Sequence, residues 1–147
     1  MRMCKVICLV FAISLLLLSC DYSEDGGSGS VSGKDGLKIV RFSPELPSLI
    51  AVGEKLTVTV EYKIGSAKEA QIFIRPFTNG RGTPVNLSHG CRSIKTGKGT
   101  LEGYFIFDEP TVVDEVRVDM VNVKDQSKVY ASISKEISAE WVINPLN

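Results

Sequence analysis

His89 and Cys91 stand two residues apart, a spacing that puts an imidazole and a thiol on one face of a β-strand. Together they offer two soft ligands, whereas a structural zinc site takes about four and a catalytic one about three plus water. Downstream of Cys20 the chain has no other histidine or cysteine, so carboxylates would have to complete the set. A Cys–His nucleophile pair would also need a third group to orient the base. The pattern therefore reads as a surface-loop histidine beside a partly buried cysteine that acts as a small hydrophobe, the alternative for this odd cysteine being a reactive thiol or an intermolecular bridge. Lys95-Thr96-Gly97-Lys98-Gly99-Thr100 looks superficially like a phosphate loop. It lacks the required glycine, four residues, then Gly-Lys-Ser/Thr, because a glycine follows Lys98; turn glycines between strands are expected instead. Asp108, Glu109, Asp114, Glu115 and Asp119 crowd one strand junction. Calcium takes oxygen ligands from such loops, but EF-hand spacing is absent and Arg117 interrupts the acids, so a solvated acidic loop is the reading. No metal, cofactor or catalytic residue is assigned from these patterns.

Phe73, Arg75 and Phe77 alternate with Ile72 and Ile74. If the isoleucines enter a core, two phenylalanines flanking an arginine face outward. Aromatic residues and arginine are enriched at interfaces, which makes Phe73, Arg75 and Phe77 the candidate partner contact. Trp141 alone is too little for a sugar-stacking platform and is expected in the core or at its rim.

The N-terminus carries a different kind of chemistry. Arg2 and Lys5 precede an uncharged apolar run of 13 residues, Val6 to Leu18, with small Ser19 just before Cys20. A positive region, an apolar region and a small-residue cleavage point make a secretory signal peptide. The run is short for a spanning helix, which needs about 18 to 20 apolar residues, and Asp21, Glu24 and Asp25 follow at once. Leu17-Leu18-Ser19-Cys20 resembles the lipobox of bacterial lipoproteins. The resemblance implies that Cys20 becomes the first residue of the mature chain and carries the lipid. It also implies a protein held by lipid in the bacterial cell envelope. Asp21 resembles an inner-membrane retention signal in some bacteria, and acids at this place resemble a surface-export signal in others. The outer membrane is favoured over the inner, with periplasmic or surface side open.

Removing residues 1–19 leaves 128 residues, 15 basic and 17 acidic, enough for one domain. Without a basic surplus, nucleic acid is not an expected partner. Residues 20–36 comprise the lipidation cysteine and a Gly/Ser/Asp-rich linker with no apolar periodicity, which cannot offset the entropy of ordering. A flexible coil of that length spans roughly 20 to 24 Å. From Leu37 the texture changes to period-two alternation broken by turn residues. The clearest run is Leu56 to Ile64, with Leu56, Val58, Val60, Tyr62 and Ile64 on one side and Thr57, Thr59, Glu61 and Lys63 on the other. Ala70 to Phe77 is read as the next strand. Gly97-Lys98-Gly99 is read as a turn between Cys91–Ile94 and Thr100–Phe107. Val112 to Val123 and Lys128 to Ile137 form a hairpin around Lys124 to Ser127. Seven or eight short strands without helical periodicity predict an all-β, antiparallel sandwich over residues 37–147.

Val52-Gly53-Glu54-Lys55-Leu56-Thr57-Val58-Thr59-Val60-Glu61-Tyr62 resembles the Gly-Glu turn and second strand of bacterial immunoglobulin-like and fibronectin type III-like domains. Gly99-Thr100-Leu101-Glu102-Gly103-Tyr104-Phe105 is similar to a later strand of such modules. The paired cysteines and the strand-C tryptophan of antibody domains are absent, so the resemblance implies architecture alone. The expected function is a non-catalytic binding or spacer module, anchored to a membrane through its N-terminal lipid, with an envelope protein or glycan as partner. The alternative is a glycan-acting enzyme or accessory carbohydrate-binding module using paired carboxylates. Cys20→Ala is expected to move the protein from the membrane pellet to the soluble fraction. Several acyl chains anchor firmly at about 0.8 kcal/mol per buried methylene, so a variant still on membranes after a high-salt wash would count against lipidation.

Overall fold

The computed structural model describes residues 34–145. The expected signal peptide, Cys20 and the expected linker up to residue 33 lie outside the described residues. The strands are β1 (Gly36–Ser43), β2 (Ser48–Ala51), β3 (Lys55–Thr78), β4 (Arg81–Gly82), β5 (Leu87–Ser88), β6 (Cys91–Ile106), β7 (Thr111–Val121) and β8 (Val129–Val142). The all-β expectation holds, and no helix occurs among the described residues.

Two strands are longer than the sequence suggests. The alternating runs 56–64 and 70–77 are one strand, β3, of 24 residues. The segments on either side of Gly97 are likewise one strand, β6, of 16 residues. The reading of Gly97-Lys98-Gly99 as a chain-reversing turn is thus corrected: these residues bend a continuous strand. β3 and β6 pair antiparallel from Lys55↔Ile106 to Ile64↔Gly97, then resume at Glu69↔Lys95. Between those points four residues, 65–68, stand opposite Thr96 alone. Surplus residues on one strand of a ladder bend it, and here they fold the pair over at a corner. Gly97 absorbs the bend on the shorter strand at φ +131°, a conformation open to glycine.

The fold-over produces two layers. In layer one, β1 and β6 flank the first half of β3 and β5 adds to β6. In layer two, the start of β6 and residues 115–121 of β7 flank the second half of β3, β8 pairs with β7, and β2 adds to β8. The β2–β8 pairing is parallel, so the sandwich is mixed at that edge. β2 follows Pro44 and Pro47 and is four residues long, too short for alternation to mark it.

One side-chain parity runs through β3. Leu56, Val58, Val60, Ile64, Ala70, Ile72 and Ile74 are buried, and they meet Phe105, Phe107, Val116, Val118 and Trp141 in one core. Trp141 is fully buried. Its indole N–H donates to the Glu54 carbonyl at 2.9 Å, and Phe107 meets its ring edge-on at 4.6 Å. Burying that ring without its hydrogen bond would leave an unsatisfied donor.

The segment after β5 crosses from layer one to layer two where two glycines let the backbones touch. A Cβ on Gly90 would lie 2.3 Å from the Ile74 carbonyl oxygen, and one on Gly103 would lie 2.8 Å from Ile74 Cδ1. Asp35, read above as linker, ties the start of the domain to the corner. Its carboxylate accepts the Gly65 and Ser66 backbone N–H groups at 2.9 Å each. Desolvation works to raise its pKa, but the Ser66 side chain, these two amides and the charge of Lys34 outweigh it and hold the carboxyl below its ordinary value.

Val60 is fully buried, whereas Thr59 faces outward and its hydroxyl donates to Glu102 at 3.3 Å. Val60→Asp is expected to lose most of a stability of about 5 to 15 kcal/mol, because a buried unpaired carboxylate costs several kcal/mol. Thr59→Asp should cost under about 1 kcal/mol. Urea unfolding of both variants checks this, and equal losses would mean both faces of β3 are buried.

Candidate functional site: an arginine–phenylalanine face

The even-numbered residues of the second half of β3 are buried and the odd-numbered ones face outward. Ile72, Ile74 and Pro76 are buried, Phe73 and Phe77 are half-buried, and Arg75 is exposed. The three candidate contact residues therefore share the outer face of layer two.

Register adds residues that sequence reasoning did not connect with them. Phe73 stands opposite Asp119, Arg75 opposite Arg117, and Phe77 opposite Glu115. One strand further on, Asp119, Arg117 and Glu115 stand opposite Ser132, Ser134 and Glu136. Two arginines directly across from one another would repel, and each is balanced by its own partners. Arg75 is hydrogen-bonded and ion-paired to Asp119, and its guanidinium carbon lies 6.0 Å from the centre of the Phe73 ring. Arg117 pairs with Glu115 at 3.2 Å and lies 4.2 Å over the Phe77 ring, well within cation–π range. The face thus presents alternating guanidinium and ring surfaces, with Phe77 covered by a guanidinium instead of bare.

Asp119 is the buried polar member, 7% exposed. Its second oxygen accepts the Ser132 hydroxyl at 2.6 Å. A carboxylate satisfied on both oxygens is fixed in place, and it fixes Arg75 in turn. The sequence grouped Asp119 with the acids after Asp108, and the structure separates that group. Asp114 accepts the Asn79 backbone N–H at 2.7 Å, Glu115 serves Arg117, and the Asp108 backbone N–H donates to Asn86 at 3.2 Å. Among the described residues no three His, Cys, Asp or Glu side chains come together as a metal-holding group.

His89 and Cys91 do not share a face. The His89 ring lies 5.6 Å from that of Tyr104 on layer one, while Cys91 pairs with Phe73 on layer two. The expected burial of Cys91 is corrected: its thiol is exposed, because it begins an edge segment of β6 and shares the outward side with Phe73. The lysines and glycines of 95–100 line the corner, as the bend requires. A separate groove of about 620 Å³ runs between β1 and β8, lined by Val40, Phe42, Leu46, Pro47, Lys135 and Ile137 among others.

No protein-family model matches the chain, and no curated protein matches it. Among solved structures, the chain is similar to the ASH/PapD-like domain of human CEP192 (PapD-like domain 7), at 10% identity and a TM-score of 0.42, covering 98% of this chain and 100% of that one. The architecture described above rests on the strand pairing of this chain itself.

The Arg75–Asp119 pair should show energetic coupling. Arg75→Ala leaves a buried carboxylate with Ser132 as its one remaining side-chain donor, and Asp119→Ala removes the group that orients Arg75. A double-mutant cycle read by urea unfolding is expected to give about 1 to 2 kcal/mol of coupling. Coupling near zero would mean that Arg75 is not held by Asp119.

Proposed function

We propose that the chain is a lipid-anchored protein of the bacterial cell envelope whose β-sandwich is a non-catalytic binding module. Its contact surface is the outer face of layer two, with Phe73, Arg75 and Phe77 at the centre and Arg117 and Asp119 completing it. The lipobox-like Leu17-Leu18-Ser19-Cys20 supports the anchor. The observation that carries the binding role is the pre-set guanidinium–ring ladder: Arg117 over Phe77, beside Arg75 locked to a buried Asp119.

Interface energy concentrates in aromatic and arginine side chains, and ordering them costs affinity. Here the ordering is done within the domain, by Asp119, Glu115 and the rings. Because a guanidinium covers Phe77, sugar stacking on that ring would require displacing Arg117.

The test uses the full chain purified with its partners from detergent-solubilised native envelope. Arg75→Glu combined with Phe77→Ala is expected to weaken the recovered complex by about tenfold or more, equivalent to about 1.4 kcal/mol. Thr57→Glu, on the outer face of layer one, should leave it intact. Equal recovery with both variants would remove this face from the function.

A further inference from the structure

The sandwich is polarised in charge along its strands. Segments 34–36, 61–69, 95–99 and 122–128 meet at the corner end, because Gly36 pairs with Lys63, Lys63 with Lys98, and Gln71 with both Ser93 and Val121 at the foot of the β7–β8 hairpin. That hairpin is held there by Gln126, whose amide donates to the Gln71 side chain at 3.3 Å. These segments carry seven lysines against four acids, Asp35, Glu61, Glu69 and Asp125. Lys34, Lys68, Lys95, Lys98 and Lys124 are exposed, and Asp35 is engaged by the Gly65 and Ser66 amides. At the opposite end, segments 43–55, 78–84, 106–114 and 142–145 carry five acids, Glu45, Glu54, Asp108, Glu109 and Asp114, against Lys55 and Arg81.

The chain enters the domain at the basic end. Asp35 pins the entry to the corner, and thirteen residues separate Cys20 from Lys34, a reach of at most about 50 Å. We propose that the lysine-rich corner end is a membrane-facing surface that binds the anionic headgroups of the bilayer in which the chain is anchored. This rests on the anchoring at Cys20. Lysines near an anionic surface are attracted over about a Debye length, roughly 8 to 10 Å. The linker is long enough for that approach, but its own Asp21, Glu24 and Asp25 are repelled by the same surface, so the lysines of the corner must outweigh them for the domain to dock. The acidic end is repelled by the same surface, so the two ends act together to stand the sandwich on its corner. Several acyl chains already hold the N-terminus in the bilayer, so what the basic end adds is orientation of the domain on that surface.

The experiment uses the mature chain with Cys20 replaced by alanine, so that the protein itself carries no lipid. It is floated with phosphatidylcholine vesicles, with or without about a third phosphatidylglycerol, at low and high salt. Flotation with the anionic vesicles at low salt, lost at high salt and absent with phosphatidylcholine alone, is the expected result. The K68E/K95E/K98E/K124E variant should bind at least about tenfold more weakly, while E45Q/E54Q/D108N/E109Q at the far end should bind no less well. No flotation with anionic vesicles, or equal flotation by the lysine variant, would overturn the proposal. Tighter binding to heparin or to duplex DNA than to the vesicles would overturn it in favour of a soluble polyanion. The anchor is read separately: in cells, Cys20→Ala held on membranes at high salt speaks against lipidation, whatever the vesicles show.

Discussion

Four residues of β3 standing opposite one residue of β6 is the constraint on which the architecture depends. A ladder with equal counts on both strands would run on as one long twisted ribbon, with the valines and isoleucines of its even face half exposed to water. The surplus at 65–68 lengthens one side of the ribbon, and Gly97 yields on the other. The apolar face then closes on itself. Leu56 to Ile64 and Ala70 to Ile74 become opposite walls of one interior, which Phe105, Phe107 and Trp141 fill. The proposed interaction surface follows from the same bend, since the side of β3 turned away from the interior carries Phe73, Arg75 and Phe77. The basic end follows as well, because a tight corner leaves Lys68, Lys95 and Lys98 with nowhere to point but solvent.

Much of this was legible in the alternation of the chain. Period two identified both halves of β3, the β7–β8 hairpin and the inward side at Val60, because one buried face imposes that period whatever the loops do. Continuity was not legible. Gly65 and Gly97-Lys98-Gly99 carry turn composition, and a strand that ends and a strand that bends use the same residues. The available signal was that the apolar residues resume on even numbers after the corner, Leu56 to Ile64 and then Ala70 to Ile74 with Ser66 and Lys68 between them, since a true reversal has no reason to keep that parity. β2 was hidden by its length and by the prolines before it, as its pairing with β8 depends on a partner about ninety residues away in sequence.

The contact face was half visible. Phe73, Arg75 and Phe77 could be placed on one side of a strand from spacing alone. Their partners could not, because Arg117 and Asp119 are joined to them by register across strands, and register is set by the whole core. Asp119 looked like one acid among five. Its distinct role comes from facing Arg75 and Ser132 at once, which no local pattern announces. Cys91 went the other way. The usual preference of thiols for the interior was overridden by the edge position at which β6 begins.

Because β3 and β6 each belong to both layers, the sandwich has no seam along which it can come apart. A domain whose layers are separate chain segments can lose one and keep the other for a time, which gives hydrogen exchange its graded, region-by-region character. Here both strands of the central ladder run through both layers, so opening of layer two pulls on layer one and the two are expected to open together more often than separately. Amides at Val58 and at Ile72, on opposite walls, then share one exchange-limiting event. A domain that opens as a single cooperative unit leaves few partly opened strand edges to pair with one another.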